Sequence, residues 1–262
     1  MKLKGKVCVV TGAAQGIGAA TAAALARRGA RLVLVDLQGD AVGALAASLP
    51  AETLAIKADI CDDAQVEAMI AEALERFGAI DVLINNAGIG KPRTVEQLDI
   101  ETWRQTLEVN LTAPFRLTKA LMPELTRRRG HIVTVASMAA RILIPMLPHY
   151  SASKAGVAAF SETLRSELKP LGVGVTTVYF GTIDTPLLAT GIADAAVGDR
   201  ALKNMALARR LGASPLLSAE TAGESIVRAI EKNRRRVIRP RRAAGVFHLP
   251  APFQRVAERV RW

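Results

Sequence analysis

Tyr150 and Lys154 stand four residues apart, and Ser137 lies thirteen residues upstream of the tyrosine. Four residues is about one helical turn, so a helix sets phenol and ammonium on one face. A phenol beside a positive charge is a tunable acid, because the charge favours phenolate and draws the tyrosine pKa toward the working range. A serine hydroxyl nearby can hold a carbonyl oxygen. The chain also opens with TGAAQGIG over residues 11–18, a glycine-rich stretch able to hold a dinucleotide. Alone, a Tyr-x-x-x-Lys pair reads as an exposed helix face, and a glycine turn as a packing device. Their order and spacing in one chain point instead to hydride transfer between a nicotinamide and an alcohol or ketone carbon.

Those groups need elements to hold them, and the sequence alternates apolar runs with helical patterns. KVCVVTG (6–12), RLVLVD (31–36), residues 54–58, IDVLINNAG (80–88), GHIVTVAS (130–137), VGVTTVYFG (173–181) and RRVIRP (235–240) read as strands. Helices are expected over 16–29, 62–77 with Asp62 or Asp63 near the N-cap, 101–127, 150–169 with Pro170 helping to end it, and 219–232. The alternation predicts an α/β fold: a doubly wound, Rossmann-type, three-layer sandwich around a mostly parallel seven-stranded sheet. Such sheets bind ligands at the carboxyl ends of their strands. Gly12, Asp36, Asp59, Asn86, Ser137 and Gly181 all fall at or just past an expected strand end. With no internal repeat or linker, residues 1–262 read as a single domain. Residues 186–217 break the rhythm and read as a substrate lid, with a structural insertion as the alternative.

Half of the 262 residues are apolar, enough for a sizeable core. No run of 18 apolar residues occurs, so no membrane span is expected. The start leads directly into the first strand, without a cleavable signal pattern. Cys8 and Cys61 read as free thiols suited to a reducing, cytoplasmic setting. His131, His149 and His248 lack metal-ligand spacing, so no metal site is expected. The net charge of +11 is unevenly placed: residues 227–262 hold 11 Lys or Arg against 2 Asp or Glu, and the rest 24 against 22. No helix-turn-helix, zinc spacing or basic–aromatic platform accompanies that charge, so no nucleic-acid partner is expected.

At the dinucleotide end, Gly12 permits a sharp turn out of the first strand. Gly16 and Gly18, flanking Ile17, let the helix start approach a pyrophosphate whose charge suits the helix N-terminus. The spacing is G-x-x-x-G-x-G. Asp36 ends the second strand, where a carboxylate can accept both hydroxyls of an adenosine ribose and would repel a 2′-phosphate. Leu37 follows it, and Ala14 and Gln15 in the turn are neutral. NAD is therefore expected over NADP.

With these residues in view, the chain resembles the short-chain dehydrogenase/reductase family over about residues 5–239. The motifs come in order: TGAAQGIG (11–18), Asp59 and Ile60, NNAG (85–88), Asn110, Ser137, YSASK (150–154) and GTIDT (181–185). The resemblance implies that Asp59 and Ile60 meet adenine and that Asn86, Ala87 and Gly88 pass the adenosine side. It implies that Gly181, Ile183 and Thr185 line the nicotinamide and that Lys154 binds its ribose. Asn110 is implied to hold a water linking Lys154 to solvent. It also implies a homo-oligomer, a dimer or tetramer, paired through the helices around 101–127 and 150–169. One departure is Phe180, where the family usually has proline. It adds bulk and an amide donor, and it raises the prospect of an aromatic wall beside the cofactor.

The residue types then divide the chemistry among a catalytic set of Asn110, Ser137, Tyr150 and Lys154. Tyr150 takes or returns the proton, Lys154 tunes it, and Ser137 donates to the substrate oxygen. The expected pocket walls are Met138, Leu143, Ile144, Met146, Leu147, Phe180, Leu187 and Leu188, all apolar. They favour a small hydrophobic alcohol or ketone. His149 reads as packing rather than a second base. A non-catalytic dinucleotide-binding regulator is the main alternative, and an intact tetrad argues against it. The basic tail over about 234–262 ends in a short amphipathic pattern at Phe253, Val256, Ala257 and Val260. It reads as an element packed on the body or a second subunit, as a peripheral membrane contact, or as a lure for an acidic substrate carrier.

Overall fold

A computed structural model describes residues 1–142, 145–193 and 216–241. Seven strands form one sheet: β1 (Val7–Thr11), β2 (Arg31–Asp36), β3 (Thr53–Lys57), β4 (Val82–Asn85), β5 (His131–Val135), β6 (Gly174–Phe180) and β9 (Arg236–Arg239). Their order is β3-β2-β1-β4-β5-β6-β9, and every pairing is parallel. A second, two-stranded sheet pairs β7 (Ile183–Asp184) with β8 (Leu217–Ser218).

The central strands are continuous apolar runs because both sheet faces are covered. Alternate residues serve opposite layers. Cys8, Val10, Leu32, Leu34, Val82, Ile84 and Val178 pack with α1 (Gly16–Ala26), α2 (Gly39–Ser48) and α8 (Ala219–Glu231). Val7, Val9, Val33, Val35, Leu83, Ile132 and Val175 pack with α3 (Asp63–Phe77), α5 (Ala113–Arg128) and α6 (Pro148–Leu168). The two contact sets define the three layers. Helices α1 and α8 touch so closely that a Cβ at Gly223 would lie 2.7 Å from the Ala20 backbone.

The expected strands and helices are present with shifted ends. Asp62 is the N-cap of α3, its carboxylate accepting from the Gln65 amide at 3.0 Å, and left-handed Gly78 closes the same helix. Helix α2 carries no signal strong enough to expect: only Val42 and Ala46 are buried and Gln38 offers no side-chain cap. The helix expected over 101–127 is three pieces. Helix α4 (Ile100–Leu107) runs into a π-turn at Glu108–Thr112, and α5 follows. The wider turn re-aims side chains locally, and Asn110 lies inside it.

Of the expected lid, residues 186–193 form α7 (Pro186–Ala193), while 194–215 lie outside the described residues. The roots of the segment are tied together: Ile183 pairs with Leu217, and the Leu217 amide donates to the Thr182 carbonyl at 3.1 Å. Leu143, Ile144 and the tail beyond Arg241, including its amphipathic pattern, also lie outside the described residues. No described helix is long and apolar enough to cross a membrane.

Candidate active site

The glycine turn owes its shape to backbone contacts that leave no room for side chains. Gly12 has a φ of +63°, and a Cβ there would lie 2.8 Å from the Ala87 Cα. At Gly18 a Cβ would fall 2.0 Å from the Gly12 carbonyl oxygen. The start of α1 therefore lies directly on the turn, with Gln15 in extended conformation just before the helix. Thr11 binds this turn to the end of β4. Its hydroxyl accepts from the Asn86 and Ala87 amides, both at 3.1 Å. The Asn86 side chain returns two bonds, to the Thr11 carbonyl at 2.8 Å and the Gly12 carbonyl at 3.1 Å.

Asp36 reaches across to the same turn. One carboxylate oxygen accepts from the Ala14 amide at 2.9 Å, and the other from the Gln38 amide at 3.0 Å. Leu37 beside it is exposed. Lys57 on β3 stands in register with Asp36, but no ion pair to Asp36 occurs among the described residues. Asp59 accepts from the Cys61 amide at 2.9 Å, making a tight turn around buried Ile60. The Cys61 thiol is pushed up to about 12, first by burial and then by Asp59, so it is not a thiolate. On the other side of the turn, a Cβ at Gly16 would sit 3.1 Å from the Thr185 Cγ2. The stretch through Gly181, buried Ile183 and Thr185 thus borders the glycine turn, and the Gly181 amide is held by the Arg239 carbonyl at 2.8 Å. A bare backbone cradle with a strand-end carboxylate beside it fits a nicotinamide dinucleotide.

The second cluster stands at the carboxyl ends of β4 and β5. Ser137 caps a short 3-10 turn, Met138–Ala140, with its hydroxyl accepting from the Ala139 amide at 3.1 Å. The same hydroxyl faces the Tyr150 phenol closely enough to lower its pKa. Tyr150 and Lys154 lie on α6 as their spacing predicts, with the ammonium 5.7 Å from the centre of the phenol ring. Lys154 is buried and donates to the Val135 carbonyl at 2.9 Å. Asn110 is also buried. Its amide donates to the Ile89 carbonyl at 2.8 Å and to Ser153 Oγ at 3.0 Å, while its oxygen accepts from the Ile89 amide at 2.9 Å. Gly88 lies between the two, since a Cβ there would be 3.2 Å from both Asn110 Oδ1 and Lys154 Nζ.

Burial sets the acid–base balance here. Tyr150 is partly buried, which pushes its phenol above its ordinary value, with the nearby Ser137 hydroxyl pulling the other way. The dominant influence is therefore not the expected lowering by Lys154. Burial also draws the lysine down, to about 8. His149 is fully buried, and burial keeps its imidazole neutral at pH 7, in keeping with a packing role.

Two expectations change with the structure in hand. Phe180 is 3% exposed and packs in the core with Val178, Ile183 and Val237, so it is not a pocket wall. Its place in the β6 pleat turns the ring into the α1–α8 layer. Met138 is likewise buried, against Val157, Ala158 and Tyr179. Leu187, in contrast, is exposed near the start of α7. Residues of the site that the sequence did not single out are Thr11, Ser153 and Ile89. Thr11 and Ser153 lie inside the quoted motifs, and only their hydrogen bonds show what they do.

Residues 6–195 match the short chain dehydrogenase family, and the chain belongs to it. Trans-4-hydroxycyclohexanecarboxylate dehydrogenase of Sinomonas cyclohexanicum is 36% identical over 193 residues, covering 70% of this chain and 74% of that one. 11-beta-hydroxysteroid dehydrogenase A of Sesamum indicum is 34% identical over 242 residues, 90% of this chain and 68% of the relative. A solved short chain dehydrogenase/reductase from Burkholderia phymatum, in complex with NAD, superposes with a TM-score of 0.81 at 26% identity, covering 98% of this chain and 96% of that one. The protein is thus an oxidoreductase of this family, on a fold that binds a nicotinamide dinucleotide.

Proposed function

We propose that the protein interconverts a hydrophobic secondary alcohol and its ketone with NAD(H), using Tyr150 as acid and base. The convergence of Ser137, Tyr150, Lys154 and Asn110 beside the glycine turn carries this reading. The nicotinamide, when bound, accepts or supplies the hydride. Tyr150 takes the hydroxyl proton in oxidation and returns it in reduction. Ser137 donates to the same substrate oxygen and steadies its developing charge. Lys154 supplies a buried positive charge beneath the phenol and lies within reach of a ribose, and Asn110 fixes the loop beside it. Exposed Leu187 and the steroid named for the Sesamum indicum relative support an apolar substrate, and both relatives' names support a hydroxyl carried on a ring.

Asp36 supports NAD over NADP, because a 2′-phosphate would meet a carboxylate that no cation neutralises among the described residues. Like-charge repulsion of about 1.4 kcal/mol gives roughly a tenfold preference. Initial rates with both cofactors and a panel of alicyclic secondary alcohols and ketones test the activity and the preference together. Equal rates with NADP(H) would reject the cofactor assignment. Asp36→Ala should narrow the gap. Binding of NADH without turnover across the panel would favour a non-catalytic regulator.

The reading includes a dimer or tetramer. Phe115 is half exposed on α5 and meets Phe160 of α6 edge-on, with ring centres 6.0 Å apart, leaving an aromatic surface on the outer face of these helices. Light scattering at micromolar concentration should show a species larger than the 27.8 kDa chain. A monomer alone would refute the assembly.

A further inference from the structure

Tyr150 is confined by bare backbone along one side of its ring. A Cβ at Gly90 would lie 2.6 Å from Tyr150 Cδ2, and 3.2 Å from both Cγ and Cε2. Bare backbone is therefore pressed against the phenol ring. The loop that carries Gly90 is fixed at both ends. Asn110 grips the Ile89 amide and carbonyl, at 2.9 and 2.8 Å. The Arg93 amide donates to the carbonyl of Met146, just before α6, at 2.7 Å.

The grip closes on itself. Asn110 also donates to Ser153 Oγ at 3.0 Å, and Ser153 Oγ donates to the Tyr150 carbonyl at 2.7 Å. Asn110, Ile89, Gly90, Tyr150 and Ser153 thus form one ring of contacts around the phenol's base. Asn110 and Ser153 are buried, so the loop cannot retreat without stranding polar groups away from water. A side chain at position 90 would have to move the ring.

We propose that Gly90 is a positioning residue for Tyr150: its missing side chain lets the clamped loop act as a backstop that sets the phenol against Ser137 and the substrate oxygen. Ser153 is the helix-side half of the same device. The inference rests on Tyr150 being the acid/base.

Gly90→Ala is compared with Gly43→Ala, a control in α2 where a Cβ meets nothing within 4 Å. Turnover, NADH affinity by fluorescence, melting temperature and the pH profile are measured for each. Displacing a reacting group by about 1 Å can cost a hundredfold. Gly90→Ala should therefore lose about tenfold or more in kcat while NADH affinity holds. Its oxidation profile should move to higher pH, because a displaced phenol loses the nearby Ser137 hydroxyl that lowers its pKa. Gly43→Ala should keep the parent kcat, NADH affinity and pH profile, with a melting temperature at or above the parent's. An unchanged kcat and pH profile in Gly90→Ala overturns the proposal, and so does a parallel loss of NADH affinity. If Gly90→Ala does not fold, Ser153→Ala decides, since it cuts the clamp without adding bulk: a normal kcat overturns the proposal, and a lowered kcat with intact NADH affinity supports it. Normal turnover in Tyr150→Phe instead removes the acid/base reading itself.

Discussion

Tyr150→Phe is expected to cut turnover at least about a hundredfold, the lower end for general acid–base catalysis. The ring remains, so the contact with Gly90 and the packing of α6 remain too. NADH affinity should survive, because the glycine turn and Asp36 lie on other elements. What disappears is the phenol proton facing Ser137. The pH dependence should vanish with it. Burial holds the phenol above its ordinary value, so at neutral pH it is protonated and poised to give a proton. In the parent protein, oxidation needs phenolate and should accelerate as pH rises toward that pKa. Reduction needs the proton and should slow over the same window. Wild-type turnover in Tyr150→Phe, or an unchanged pH profile, would reject the assignment.

Gly18→Ala is expected to cripple cofactor binding. The added methyl would stand 2.0 Å from the Gly12 carbonyl oxygen and 2.7 Å from Asn86 Nδ2. The first obstacle is backbone, which cannot rotate away as a side chain would. Either α1 lifts from the turn or the turn breaks its bonds to Asn86 and Thr11. Overpacking of this kind costs about 1–3 kcal/mol or more, which corresponds to roughly tenfold to a hundredfold in affinity if it falls on the bound state. Titration with NADH, with melting curves to separate misfolding from lost affinity, checks the effect. Parent-like affinity would show that α1 does not need its present distance from the turn.

Much of this site was legible because its chemistry is carried by residue types at fixed intervals. Apolar runs between helical patterns yield the parallel sheet, and strand ends then place Gly12, Asp36, Ser137 and Gly181 without further information. Helix spacing places Tyr150 over Lys154. The remainder depends on contacts between distant segments, which no spacing reports. A π-turn looks like ordinary helix in sequence, so the three-piece course of residues 100–128 was hidden. Helix α2 was missed because it buries only two residues and lacks a side-chain cap. The roles of Thr11 and Ser153 depend on hydrogen bonds to loops some 75 and 43 residues away. Phe180 was placed by its type, and the pleat sent its ring the other way.

The strand order has a consequence for how the chain reaches this state. β1 is made early and sits inside the sheet, yet one of its two partners, β4, pairs Cys8 with Val82. The entropy of closing that long loop is spent before the contact gives anything back. Until β4 arrives, β1 has one open edge and two apolar faces. Refolding should accordingly be slow, and diluted chains should recover better than concentrated ones, because the open edge of β1 can pair with another chain as readily as with its own.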